Sequence, residues 1–163
     1  MYISLIDELI SSHGATEHIV LDKATYKVSL LKVIGKREFV ICACETKNNL
    51  TMNDTKEIFA CMTQFIKNND ESSPCYSFID VSKTDAFTLQ QLKYAAEAFN
   101  AVKRFIQTRL VGSVIKVGED QFNDGFLSMT FKKLYTPIRP ICWYETEGEA
   151  SAFVTKWEEK MDV

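Results

Sequence analysis

The stretch from Cys75 to Lys103 constrains the fold of this chain more than any other. Tyr76 to Val81 is apolar apart from Ser77 and Asp80, and is rich in β-branched and aromatic residues. A short run of this kind, closed by polar residues, suits a strand covered on both faces. A polar turn follows, and then an amphipathic helix that opens near Thr88. Thr88 and Gln91 have capping-box spacing: the hydroxyl accepts from an amide one turn in, and Gln91 reaches back. Leu89, Leu92, Ala96 and Phe99 recur at steps of three and four and predict one apolar stripe, with Lys93, Glu97 and Asn100 on the other side. Asp80 and Ser82 fall at the C-terminal end of the strand, where open α/β sheets tend to meet ligands and partners.

The rest of the chain extends this pattern. Tyr2 to Ser12 reads as a short helix stopped by Gly14, an accessory element over residues 1–13. Ile19 to Leu21 and Thr25 to Ile34 read as extended, and residues 34–37 as a hairpin turn into a strand from Glu38 to Cys44. Phe39, Ile41 and Ala43 would face one way and Val40, Cys42 and Cys44 the other; both sets are apolar, which predicts a central strand. Thr51 and Asp54 make a second capping pair, ahead of a stripe of Ile58, Met62, Phe65 and Ile66, with Phe59 beside it. A strand is predicted at about Leu110 to Val117, then a helix at about 120–135 with two apolar faces. One face carries Phe122, Phe126 and Met129, the other Leu127, Phe131 and Leu134, and covering a sheet needs only one of them. Pro137 ends that helix, and Pro140 makes Ile138 to Tyr144 an edge strand or one that starts late. Thr146 and Glu149 cap a last helix with Ala150, Phe153, Val154, Trp157 and Met161 on one face. The expectation is a single α/β domain over residues 1–163. It has a mixed sheet of four to five strands, an N-terminal antiparallel hairpin, parallel neighbours joined by helices, and about four helices.

Composition narrows the function. A chain of 163 residues buries roughly 70% of its unfolded surface. A net charge of −3 argues against a nucleic-acid binder, and no apolar run approaches the ~20 residues of a membrane span. Met1 to Ile10 carries Asp7 and Glu8 and lacks a basic start, so it does not read as a signal peptide, and a cytoplasmic protein is expected. Five cysteines, at 42, 44, 61, 75 and 142, sit inside apolar patterns and read as free thiols of a reducing compartment. Cys42 and Cys44 share a strand face, but the two histidines, His13 and His18, lie far upstream, so no metal is expected. The chain has no nucleotide-binding glycine loop, nucleophile elbow or His-Glu-x-x-His. Asp80, Asp85 and Glu119 read as a solvated rim, and neither an enzymatic activity nor a cofactor is expected.

The element order and the residues at two junctions resemble the SpoIIAA-like family of the STAS superfamily. The matching stretches are Phe78-Ile79-Asp80-Val81-Ser82 with the helix after it, the strand Val111 to Val117, and the aromatic helix through Phe131-Lys132-Lys133-Leu134. Ile138 to Trp143, with Glu149-Ala150 and Trp157 after it, completes the set, and the likeness spans roughly Thr25 to Glu159. The resemblance implies a mixed sheet with helices mainly on one face and a non-enzymatic regulatory or protein-interaction role. STAS anti-sigma-factor antagonists are phosphorylated on a serine at the start of the helix after the central strand. Thr88 is the nearest equivalent, with Ser82 and Asp80 as the other candidate switch residues, but Asp85-Ala86-Phe87-Thr88-Leu89 stands where the family has an Asp-Ser-Ser-Gly type segment. The plainer reading of Thr88 is an N-cap. A protein partner or homodimer is expected on the face of Phe122, Phe126 and Met129. The alternative is a domain for a lipid or small apolar ligand, with the helix at 120–135 as its lid.

Overall fold

The computed structural model describes residues 14–34, 38–69, 74–84, 87–117, 133–135 and 141–144, together with Asp7, Ile10, Ser11, Phe131, Ala152, Thr155 and Lys156; for Ile34 and residues 141–144 only the backbone is described. The strands are β1 (Thr16–Asp22), β2 (Tyr26–Ile34), β3 (Glu38–Thr46), β4 (Cys75–Asp80), β5 (Leu110–Lys116) and β6 (Ile141–Tyr144). Among the described residues, the helices with defined bounds are α1 (Met52–Asn68), α2 (Leu89–Ala101) and α3 (Lys103–Arg109). The six strands form one sheet in sequence order, β1-β2-β3-β4-β5-β6. β1, β2 and β3 are antiparallel to one another, whereas β3, β4, β5 and β6 run parallel.

The expected class holds and the expected strand count does not. Six strands stand where four to five were expected, because the short Ile19 to Leu21 stretch is part of a full seven-residue strand. The leading hairpin is thereby a three-stranded meander. β1 was hard to read because it is an edge strand with mostly exposed residues, so its sequence shows little alternation. A bulge between Ile19 and Leu21 leaves Val20 outside the register. Bulges blunt an edge against pairing with a second chain. β3 is interior, as its two apolar faces require. All six residues of β4 are buried. β6 begins directly after Pro140 and lies at the other edge, where a missing donor costs least.

The three helices share one face of the sheet. Ile58, Met62 and Ile66 of α1 and Leu92, Ala95, Ala96 and Phe99 of α2 pack with Cys42, Cys44, Ile79 and Ile115 from the strands. Phe59 of α1 meets Phe99 of α2 edge to face at 5.5 Å. The opposite face is equally apolar: Leu31, Val33, Phe39, Ile41, Ala43, Tyr76, Phe78 and Val114 form a second cluster, all at most 1% exposed, joined by Ala15. Alternation along β3 and β4 thus feeds two separate cores.

Helices α1 and α2 start with the caps their sequences predict, whereas α3 starts after Val102 with no side-chain cap. Thr51 accepts from Asp54 N and Asp54 accepts from Thr51 N; Thr88 and Gln91 do the same for α2. Removing the second cap with Thr88→Ala should cost about 1 kcal/mol in urea unfolding, and Thr88→Ser should restore most of it. Two features of this helix depart from its periodicity. Leu89 is 54% exposed and Ala95 is buried in its place. The helix also ends at Ala101, and Lys103 opens α3 instead of closing α2. The break at Val102, with φ −111° and ψ 20°, involves neither proline nor glycine, and Val102 is itself buried. Gly14 has φ +63° and donates to Ile10 O at 3.0 Å, which ends the helical residues before it as expected. Phe122, Phe126, Met129 and the cap at Thr146 lie outside the described residues. Among the described residues, no helix is long and apolar enough to cross a membrane.

Candidate binding site

The connections that leave the C-terminal ends of β3 and β4 are tied together by hydrogen bonds between side chain and backbone. Thr46 Oγ1 donates to Asp80 O at 3.0 Å, and Thr84 Oγ1 to Asn48 O at 3.2 Å. Gln91 is the central tie. Its Nε2 donates to Leu50 O at 2.9 Å and Thr55 Oγ1 at 3.2 Å, while its Oε1 accepts from Thr88 N at 2.8 Å. Thr46, Thr55, Thr84 and Gln91 are all buried, so each polar side chain is placed where a missing partner would be costly. The sequence presents Gln91 only as the third residue of a capping box; its reach to a second helix and a second loop has no local signal.

These ties frame an apolar pocket between the sheet and helices α1 and α2. Its floor is Cys44, Ile79, Val81 and Ile115 from the strands; Ile58, Phe59, Leu92, Ala95 and Phe99 close it from the helices, with Leu50, Phe87 and Phe131 at its sides. The cavity holds about 70 Å³, against the roughly 10–15 Å³ that one water needs on this kind of measure. The polar side chains in its wall, Thr46, Thr55 and Gln91, make the hydrogen bonds given above. Burial, together with the carboxylates of Asp80 and Glu45, pushes the Cys44 thiol far above its ordinary value, which keeps it a neutral wall. A smaller void of about 20 Å³ continues from the pocket and shares Ile79, Phe99, Ile115 and Phe131 with it. Such an enclosure can hold an apolar body. Its described wall contains no cation to balance an anion.

The sequence-predicted switch residues lie beside this pocket, not in its wall. Asp80 Oδ1 accepts from Ser82 N at 3.0 Å and from Ser82 Oγ at 2.5 Å, so the strand end brings those two together. Asp80 is buried and stands in register with Glu45 on one side and buried Lys116 on the other. These three alternate with the floor residues and so belong to the opposite sheet face. Thr88 is engaged in the α2 cap, its Oγ1 accepting from Gln91 N at 3.1 Å. Arg104 and Arg109 both lie over the Phe105 ring, at 5.0 and 4.8 Å from its centroid. Cys42, Cys44 and Cys75 are buried free thiols and Cys61 is half-buried. Among the described residues, no group of three or more His, Cys, Asp or Glu is placed to hold a metal ion.

Fold and site together define an α/β protein with a mixed six-stranded sheet and an apolar pocket at the carboxyl ends of its parallel strands. Comparison with models of known protein families, with curated proteins and with solved structures found no match.

Proposed function

We propose that this protein is a non-catalytic, STAS/SpoIIAA-like binding module that takes a small apolar molecule, or the end of a lipid chain, in the pocket between α1, α2 and the sheet. The observation that carries the reading is the pocket itself: about 70 Å³, with an apolar floor, at the carboxyl ends of parallel strands. Open α/β sheets present ligands at that end, and small-molecule sites are mostly apolar concavities with few polar groups. The STAS-like part of the proposal is supported by the mixed sheet, the alternation of helix and strand after β3, and the three described helices on one face. A regulatory docking role is the second reading. It is favoured by Leu89, exposed directly after Thr88 at the start of α2.

Calorimetric titration with toluene tests the binding reading. Wild type should bind, and Ala95→Phe, which fills the space between Phe59, Leu92 and Phe99, should weaken binding at least about tenfold. Overpacking at a buried alanine costs about 1–3 kcal/mol, so Ala95→Leu serves as a second variant, and the melting transition confirms folding in both. No heat and no competition in folded wild type would contradict the proposal. So would undiminished binding in both filled variants.

A further inference from the structure

Beyond the main pocket, the interior of the sheet holds a second polar feature. Ser77 lies in the middle of β4 on the helix-covered face and is 0% exposed. Its Oγ makes no hydrogen bond among the described residues. Ser77 stands in register with Ser113 of β5, which is also buried and lines the small void behind the main pocket. Ile79 and Ile115, the next residues on the same face of each strand, are walls of both spaces, and Phe99 and Phe131 cover both. The small void thus extends along β5 from the main pocket to Ser113, and Ser77, which lines neither space, stands beside Ser113 in the β4–β5 register. Buried hydroxyls are normally paired, and one left without a partner lowers the stability of the fold. A hydroxyl both donates and accepts, and it carries no charge to neutralise an ion.

We infer that Ser77 and Ser113 form the recognition end of the site: it selects an apolar, chain-like ligand that carries one neutral hydrogen-bonding group, such as an alcohol or carbonyl, at its leading end. This rests on the proposed binding function and specifies the ligand class. The apolar body lies in the main pocket, and the leading group reaches past Phe99 and Phe131 to the serine pair. A site built to hydrogen-bond a group discriminates against the analogue that lacks it, because its own polar atoms then stay unpaired. A carboxylate is disfavoured at this end, since neither described wall offers a cation.

The test compares hexan-1-ol with 1-chlorohexane, which has the same number of heavy atoms, by methyl NMR titration of the full chain. The readout is the ratio of the two dissociation constants, in wild type, Ser77→Ala and Ser113→Ala. One hydrogen bond lost on binding shifts that ratio roughly threefold to tenfold toward the chloride. The ligand-free Ser77→Ala protein should melt about 2–4 °C higher, as removal of a buried unpaired hydroxyl predicts for a chain of this size. An unchanged ratio in both variants overturns the inference, as does a lower melting temperature for ligand-free Ser77→Ala. If toluene and 1-chlorohexane bind but hexan-1-ol does not, the serine pair is not a recognition end and the apolar pocket stands. If none of the three binds folded protein, the binding reading and this inference fall together.

Discussion

Replacing Phe78 with alanine should remove about 3–5 kcal/mol of stability, a large share of the 5–15 kcal/mol that holds a typical domain folded. Phe78 lies on the sheet face opposite the three described helices and is 0% exposed. Its ring meets Tyr76 nearly at right angles at 6.4 Å, and Tyr76 in turn meets Phe39 at 5.2 Å. These residues occupy interior strands, where hydrogen bonding to neighbours on both sides limits collapse into a cavity. Urea unfolding followed by circular dichroism measures the change. A loss below about 1 kcal/mol would show that this face is not packed as a core. Phe78→Leu, which keeps most of the volume, should lose distinctly less.

The second large effect is alkaline. Burial raises the thiols of Cys42 and Cys44 well above their ordinary values, and pushes Cys75 up to about 12 despite the opposing influence of Arg109. The unfolded chain releases these protons near pH 8.5–9, whereas the folded chain retains them. Stability from the three thiols is therefore fully present below about pH 8 and declines as pH rises through the window up to the folded values. Each retained proton contributes about 1.4 kcal/mol per pH unit within that window, so three give a slope of roughly 4 kcal/mol per unit. Burial and the Glu57 carboxylate, which accepts from the Tyr26 hydroxyl, raise the Tyr26 phenol and act with the same sign at higher pH. Urea midpoints at pH 8, 9 and 10 under reducing conditions should fall steeply, and Cys44→Val should flatten the fall by about a third. A flat profile would place these thiols in contact with water.

The sequence was most informative where one residue type could serve only one local purpose. Thr51 with Asp54 and Thr88 with Gln91 announced the starts of α1 and α2, and Pro140 marked the last strand as an edge strand or a late-starting one. The doubly apolar pattern of Glu38 to Cys44 placed β3 inside the sheet because a strand with one wet face cannot be apolar on both. The break at Val102 was illegible: α2 and α3 are both helical and both apolar on one side, and burial of Val102, not a local breaker, marks the joint. Leu89 was misplaced because periodicity gives the direction of a stripe but not where a neighbouring element stops covering it.

The site was less legible than the fold. Its floor residues are ordinary strand apolars, and only the meeting of three strands with two helices makes them a wall. Ser77 and Ser113 lie 36 positions apart, and the parallel register that pairs them has no local signature. Asp80 and Ser82 were singled out for lying at a strand end, and the structure brings them together, but on the face away from the pocket.

The most direct test of the binding claim is a methyl NMR titration of selectively labelled protein with 1-chlorohexane. The Ile58, Ile79, Ile115, Leu50 and Leu92 methyls line the pocket and should shift together along one saturating curve. The Leu31, Val33, Ile41 and Val114 methyls belong to the other core and should hold still. Saturating shifts confined to that second core, or at the exposed Ile19 and Val20 of β1, would contradict the assignment, as would no shift at any methyl.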